Sequence, residues 1–345
     1  MNEAVLSAYG LNAEQISIQP FGKGLINHTW KIIAQSGEYI LQRINESVFK
    51  QPADIAGNIA LVREYLLLHH PSYNFVSPIR TLAGQEMVAG DEGFFRLFPF
   101  VKNSHTLQVV ETPAQAYEAA TQFARFTRLL SGINLQKLKI TIPYFHDLSR
   151  RYHQFEDSLM NGNKERIIES KKLTEMAKSN HEIVEIFEKL TQNPAVKLRV
   201  IHHDTKISNV LFDASDKGLC VIDLDTVMPG YFISDLGDMM RTYLSPVSEE
   251  EQDFAKIEIR DDFYKAIVKG YRDEMKDELS ETETAHFFYA GRFMIYMQAL
   301  RFLADHINND SYYSAMYPGQ NLVRAANQFT LLNRLSEKEE QFIKI

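Results

Sequence analysis

The sequence predicts an α+β chain in two parts: a small β-rich N-terminal lobe and a larger, mainly helical C-terminal lobe. Three observations carry that expectation. Short β-prone runs separated by turn residues fill most of the first hundred positions, and helical spacing of apolar residues dominates after Pro99. A compact β-prone island, Leu198 to Leu224, then interrupts the helices. The boundary is expected near residue 101, giving lobes 1–101 and 102–345.

The runs Ile16 to Phe21 and Thr29 to Ala34 read as strands joined by the loop Gly22-Lys23-Gly24-Leu25-Ile26-Asn27. Ser36-Gly37 turns the chain into a third strand, Glu38 to Ile44. Ile55, Ile59, Val62 and Leu66 recur at helical spacing and predict a helix from Pro52 to His70. Gln85 to Ala89 and Gly93 to Pro99 then form a hairpin across Gly90-Asp91-Glu92-Gly93. Beyond the connector, Thr112-Pro113 opens a helix that runs to Leu130, with proline where a first turn tolerates it. Residues 147–192 are helical and charged, and read as a solvated face; long helices return from Asp261 to Ala304.

The 345 residues are 45% hydrophobic and 24% charged, the balance of a water-soluble globular chain. A net charge of -8 with no cluster of Lys and Arg argues against a nucleic-acid partner. No apolar run approaches the roughly 18 residues of a membrane span, and the first residues lack a secretory pattern. One cysteine, Cys220, forms no internal disulfide, so the expected location is the cytoplasm, as a monomer or small homo-oligomer.

Chemistry concentrates in the island. It reads Val200-Ile201-His202-His203-Asp204-Thr205-Lys206-Ile207-Ser208-Asn209-Val210-Leu211-Phe212-Asp213, then Val221-Ile222-Asp223-Leu224-Asp225. Apolar runs put these polar residues at strand ends, and burying several carboxylates there is unfavourable without a compensating charge. A divalent cation supplies one, and carboxylate and amide oxygens are ligands that Mg²⁺ takes. Read as phosphoryl transfer, Asp204 accepts the proton of the attacking hydroxyl, and Asn209 and Asp223 hold Mg²⁺ against ATP. Lys206 offsets charge on the transferred group.

His202-x-Asp204-x4-Asn209 followed by Ile222-Asp223 resembles the catalytic and metal loops of the aminoglycoside phosphotransferase and choline kinase group, relatives of protein kinases. The resemblance implies a two-lobed protein-kinase-like fold. It implies that the loop around Gly22, Gly24 and Asn27 cradles phosphates, and that Arg43 contacts them from the third strand in place of the usual lysine. Glu64 is then the candidate partner of Arg43, with Asn58 competing on the same helix. Phe98 and Phe100 fall in the connector that would bind adenine. Asp235, in Ser234-Asp235-Leu236-Gly237-Asp238, would brace the catalytic loop, with His202 and Asp225 in supporting places.

Gly24-Leu25-Ile26-Asn27-His28-Thr29-Trp30, Tyr39-Ile40-Leu41-Gln42-Arg43-Ile44-Asn45, the run 203–206 and Ile222 to Gly230 are similar to the N-acetylhexosamine 1-kinases of that group. That narrower likeness implies a small-molecule substrate, an amino sugar, phosphorylated on its anomeric hydroxyl. It maps sugar contacts onto Asp204, Thr226, Arg301 and Tyr312. Aminoglycoside, choline, homoserine or methylthioribose are the competing acceptors. A sulfatase would need a Cys or Ser in a C/S-x-P-x-R run, which the sequence lacks around Cys220. A non-catalytic relative would be expected to have lost Asp204, Asn209 or Asp223.

Overall fold

A computed structural model describes residues 3–22 and 27–345. Its helices are α1 (Glu3–Ala8), α2 (Pro52–His69), α3 (Pro113–Leu129), α4 (Leu148–Asn161), α5 (Lys164–Glu169), α6 (Lys171–Ser179), α7 (Glu182–Gln192), α8 (Phe232–Tyr243), α9 (Asp261–Met275), α10 (Glu281–Ala285), α11 (Phe287–Ile307), α12 (Gln320–Ser336) and α13 (Glu339–Phe342). Its strands are β1 (Ser17–Pro20), β2 (His28–Ala34), β3 (Gly37–Arg43), β4 (Val88–Gly90), β5 (Gly93–Pro99), β6 (Arg199–Ile201), β7 (Val210–Phe212), β8 (Gly218–Val221) and β9 (Met228–Gly230). The chain divides into two compact units. One comprises Met1–Thr106, Leu129–Pro143 and Val210–Pro229; the other comprises Leu107–Arg128, Tyr144–Asn209 and Gly230–Ile345.

The first unit is built on an antiparallel sheet in the order β1-β2-β3-β5-β4. Alternation along the strands gives the sheet two different faces. Ile32, Leu41, Phe95 and Leu97 point to one face and pack with Val5, Leu6 and Leu11 from α1 and the turn after it. Thr29 pairs with Gln42, and Gln42 with Arg96, so these polar residues share the opposite face. α2 begins with Pro52 in its first turn and buries Ile55, Ile59, Val62 and Leu66, the four positions its spacing predicts.

A single cut at residue 101 does not describe this unit. Asn58, buried on α2, donates from Nδ2 to the carbonyls of Lys139 (2.9 Å) and Val227 (3.0 Å) and accepts the Lys139 amide (2.8 Å). One side chain thereby fastens residues from 129–143 and 210–229 to an N-terminal helix. The antiparallel hairpin β7–β8 belongs to the same unit and is tied to it by reciprocal backbone bonds between His105 and Phe212, both 2.9 Å. Asn58 is therefore a structural clasp, since its amide is fully used by backbone groups.

The second unit is helical. α11 is apolar around most of its circumference, the pattern of a helix with neighbours on every side. It packs against α8, α12 and α4. Among the described residues no helix is long and apolar enough to cross a membrane. α8 approaches α11 closely at Gly237, where a Cβ would lie 2.2 Å from the Ala290 carbonyl oxygen and 2.9 Å from Met294 Cβ. Neither neighbour is the end of a flexible side chain, so a methyl group must push the helices apart. Gly237→Ala is expected to cost about 1–3 kcal/mol of stability, as overpacking does. Urea unfolding with an unchanged midpoint would contradict that close approach.

Candidate active site

After β6 the segment from His202 to Lys206 runs as irregular backbone through the second unit and ends in a 3-10 turn, Ile207–Asn209. Buried irregular backbone needs partners for its amides, and α8 supplies them. Asp235, in the first turn of α8 and wholly buried, accepts the amides of His202 (3.0 Å) and His203 (2.7 Å). One turn later Asp238 accepts the Thr205 amide at 2.9 Å. The Thr205 hydroxyl donates to the Asp235 carbonyl at 3.0 Å, and the Tyr243 hydroxyl donates to the Thr205 carbonyl at 2.5 Å. Residues 235 and 238 stand three apart, so both carboxylates share the face of α8 turned to the loop.

Charge balances behind them. Arg241 donates from Nε and Nη2 to Asp238 at 3.1 and 3.0 Å, and from Nη1 to Glu249 at 2.8 Å. Arg324 also pairs with Glu249. Burial draws the Arg241 pKa down, but Asp238 and Glu249 outweigh it and hold the group above its ordinary value. Burial pushes Asp235 up to about 7, against the pull of its two amide donors.

Within this frame Asp204 is partly exposed, with Lys206 Nζ at 3.3 Å from its Oδ1. The Asp204 charge, the largest influence on Lys206, raises that amine's pKa. Asn209 donates from Nδ2 to the Asp204 carbonyl at 2.9 Å, which turns its Oδ1 the other way, available as an oxygen ligand. His202 is buried edge-on to Phe123, centroid to centroid 5.1 Å. His203 adopts a left-handed backbone, φ 67°, and its ring occupies the space where a Cβ on Gly230 would fall 2.5 Å from Cε1. Arg301 and Tyr312 lie in this unit too, the guanidinium 5.8 Å from the ring centroid.

The remaining candidates belong to the first unit. Asp223 follows β8 with φ 60° and opens a short 3-10 turn, Leu224–Thr226. A non-glycine residue held left-handed is a strain that surrounding contacts must sustain. Asp225, in that turn, sustains it: buried, it pairs with Arg96 at 2.5 Å and accepts Asn27 Nδ2 at 2.8 Å. Arg96 also donates to Gln42 Oε1 at 3.2 and 2.9 Å, and Asn27 Oδ1 accepts the Asn45 amide at 3.0 Å. Thr226 is buried in the same turn. Gly22 has φ 76° and open space where a side chain would stand, so backbone conformation alone selects glycine there. Gly24 lies outside the described residues.

The expected pairing of Arg43 with Glu64 is not made. Arg43 is paired in register with Phe95 and so belongs to the α1-facing side; its ion pair is with Glu92, 3.4 Å away. Glu64 does not meet Arg43. The buried stripe of α2 leaves position 64 facing outward, where Glu64 approaches the exposed Arg80 at 3.5 Å. The buried cation on the polar face is Arg96, one strand over, its guanidinium 5.1 Å from the Phe98 ring centroid. Phe100 instead takes Lys31 Nζ over its ring at 3.6 Å and Phe21 edge-on at 6.0 Å. Arg96, Gln42, Asp238 and Arg241 were missed by sequence reasoning. An arginine inside the apolar run Phe94-Phe95-Arg96-Leu97-Phe98 and an Asp235-x-x-Asp238 pair inside an apolar helix were the available signals.

Among the described residues no three His, Cys, Asp or Glu side chains gather as a metal site on their own. Mg²⁺ commonly takes only one or two protein carboxylates, with phosphate and water completing its shell, and an amide oxygen such as that of Asn209 or a carboxylate such as that of Asp223 is each a kind of ligand it accepts.

The fold is that of small-molecule kinases of known structure. An aminoglycoside phosphotransferase from Alicyclobacillus acidocaldarius superposes with a TM-score of 0.66 at 12% identity, covering 100% of this chain and 97% of that one. A microcompartment-associated aminopropanol kinase gives 0.65 at 14% identity over 99% and 97% of the two chains. A choline kinase from Cryptosporidium parvum gives 0.59 at 11% identity over 97% and 93%. Residues 17–279 match the model of the phosphotransferase enzyme family, and the chain belongs to that family of aminoglycoside phosphotransferase and choline kinase-like proteins. It is a small-molecule phosphotransferase.

Asp225→Asn strands the buried Arg96 without its opposite charge and is expected to cost about 3–5 kcal/mol; Arg96→Met combined with Asp225→Leu should recover much of that. A double-mutant cycle by urea denaturation measures both, and additive losses would refute the pairing. Asp235 carries a pH signature. Its folded pKa of about 7 exceeds its ordinary value of 3.8, so its contribution to stability is full below 3.8 and is lost as pH rises through about 7. The stability of wild type relative to Asp235→Asn should therefore fall from pH 4 to pH 8; a flat difference would show that no proton is taken up there.

Proposed function

We propose that this phosphotransferase moves the γ-phosphoryl group of ATP to the anomeric hydroxyl of an N-acetylhexosamine, giving the sugar 1-phosphate and ADP, as an N-acetylhexosamine 1-kinase does. The observation that carries the reading is the segment from His202 to Asn209, whose amides at 202, 203 and 205 are held by Asp235 and Asp238 while the Asp204 carboxylate stays partly exposed. Phosphoryl transfer asks a protein for positioning and charge neutralisation, and a loop locked by its amides provides the first.

In this reading Asp204 orients the acceptor hydroxyl and takes its proton as the O–P bond forms. An anomeric hydroxyl is more acidic than an ordinary alcohol, so a carboxylate suffices. Lys206 is held beside Asp204 and would exchange that partner for the transferred group. Asn209 and Asp223 would hold Mg²⁺, which when bound neutralises charge on the phosphates. Gly22, Gly24 and Asn27 would line the phosphates with backbone, and the connector at Phe98 and Phe100 would receive adenine. Arg43 keeps a phosphate role only if it leaves Glu92. Thr226, Arg301 and Tyr312 would contact the sugar. A monomer or small homo-oligomer working in the cytoplasm suits such an enzyme.

The likeness to aminopropanol and choline kinase structures favours an amino alcohol as the second reading. Phosphorus NMR of the product separates the two: with N-acetylglucosamine or N-acetylgalactosamine as acceptor, a sugar 1-phosphate is expected. Phosphate appearing only on choline, aminopropanol or an aminoglycoside would overturn the sugar acceptor. Asp204→Asn should lower kcat by about 10²- to 10⁴-fold while ATP affinity stays near wild type. Coupled ADP release and calorimetric ATP titration measure these, and near-normal turnover would remove Asp204 from the reaction.

A further inference from the structure

Four arginines of the second unit lie near the catalytic segment or the aromatic pair Tyr312–Tyr313, and they fall into two kinds. Arg241 and Arg324 are matched by carboxylates, Asp238, Glu249 and Glu250. Arg151 and Arg301 are not. Among the described residues every partner of these two is neutral. Arg151 donates from Nη1 to Gln154 Oε1 (2.9 Å) and from Nη2 to the Phe145 carbonyl (3.2 Å), and its buried Nε has nothing to donate to. Arg301 donates to Gln298 Oε1 at 3.1 Å. Its guanidinium carbon otherwise faces rings, at 5.7 Å from the Phe145 centroid, 5.8 Å from Tyr312 and 5.3 Å from Tyr313.

Both guanidiniums thus neighbour Phe145, one at its carbonyl and one at its ring. Each is close enough to influence the other: burial, then repulsion from Arg301, pushes Arg151 down to about 10. Asp305, the carboxylate nearest Arg301 in sequence, is occupied by the amides of Tyr312 (2.7 Å) and Tyr313 (2.9 Å) and by Asn321 Nδ2 (3.1 Å), and Asp147, nearest Arg151, caps α4 by accepting the Arg150 amide at 3.0 Å. His146 adds no negative charge. It lies 3.3 Å from His203, and burial holds its pKa well below the ordinary histidine range, so the ring is neutral at pH 7. Two like charges near one another without a protein anion are costly, and the cost falls when a ligand brings oxygen atoms to them.

We propose that Arg151 and Arg301 form a two-arginine recognition site for an acyl carbonyl or carboxylate on the acceptor, and that the same pair rejects cationic acceptors. The inference rests on the kinase reading for what the ligand is used for, but not for whether it binds. Gln298, which accepts from Arg301 and donates to the Tyr313 hydroxyl at 3.1 Å, fixes one arm of the site. Arg151, held by the Phe145 carbonyl, fixes the other. Both residues are specificity-determining; neither needs to touch the transferred phosphoryl group.

Calorimetric binding with the intact protein tests this directly. The probes are N-acetylglucosamine for a carbonyl, glucuronate for a carboxylate, and choline for a permanent cation. Wild type should bind the first or the second at least tenfold more tightly than choline. Arg151→Gln should weaken that binding by about 10- to 100-fold, Arg151→Lys by less, with ATP affinity unchanged and thermal unfolding near wild type. A loss confined to glucuronate assigns the site to a carboxylate, and a loss confined to N-acetylglucosamine assigns it to an acyl carbonyl. Choline binding as well as either, binding of neither, or an Arg151→Gln variant that binds unchanged would overturn the proposal. Binding of N-acetylglucosamine that survives without any sugar 1-phosphate would instead remove the proposed anomeric phosphorylation and leave the site standing.

Discussion

A carboxylate in a dry interior stays where its charge is answered, and Asp235 is answered by two backbone amides of the segment that precedes Asp204. That contact determines much else. It fixes the peptide planes of His202 and His203, and with them the direction in which Asp204 leaves the loop. It requires α8 to begin where it does, because Asp235 must sit in the first turn. It also favours a position next to a helix N-terminus, where the helix dipole stabilises negative charge on Asp235. Asp238, Arg241 and Glu249 then extend the arrangement outward as an alternating series of charges, each buried ion facing its opposite.

The first unit solves a similar problem with opposite chemistry. There the turn carrying Asp223 is strained, and its anchor is an ion pair between Asp225 and Arg96, both about 2% exposed. Such a pair gains little over an apolar one in net stability, because both charges have lost their water. Its effect is directional. Arg96 has five donors in a rigid fork; Nε and Nη2 donate to Gln42 while the Asp225 carboxylate lies 2.5 Å from Nη1 as an ion pair, so the turn acquires one orientation relative to the sheet. Asn27 joins the same carboxylate, which makes the residue closing the glycine loop and the turn after β8 parts of one hydrogen-bonded group.

Elements with strong periodicity were legible before any coordinates. α2, β2, β3 and β5 lie within a residue or two of their expected positions because apolar spacing alone determines which way they face. The boundary at residue 101 was not legible as a division of the chain, since Asn58 and His105 recruit distant segments through hydrogen bonds that leave no periodic trace. In the site, the spacing of Asp204, Asn209 and Asp223 stood out because polar residues interrupt apolar strands. The partner of Arg43 was not legible for a related reason: the pleat turns position 43 towards α1, where it pairs with Glu92 rather than Glu64, and the buried cation of the opposite face comes from β5.

Arg151 shows why charge runs resist reading from sequence. Residues 147–192 hold many charges, and most of them do face water, as the exposed positions of α4 and α6 do. Helical periodicity separates an inner face from an outer one, but it does not say what lies opposite each residue. Arg151 neighbours the buried Tyr152 at the start of α4, close to the backbone of Phe145, and this position removes it from bulk water without providing an anion. A chain of net negative charge can therefore hold two arginines without carboxylate partners. Net charge governs how the whole molecule meets its surroundings, whereas acceptor choice depends on a few groups whose balance the total conceals.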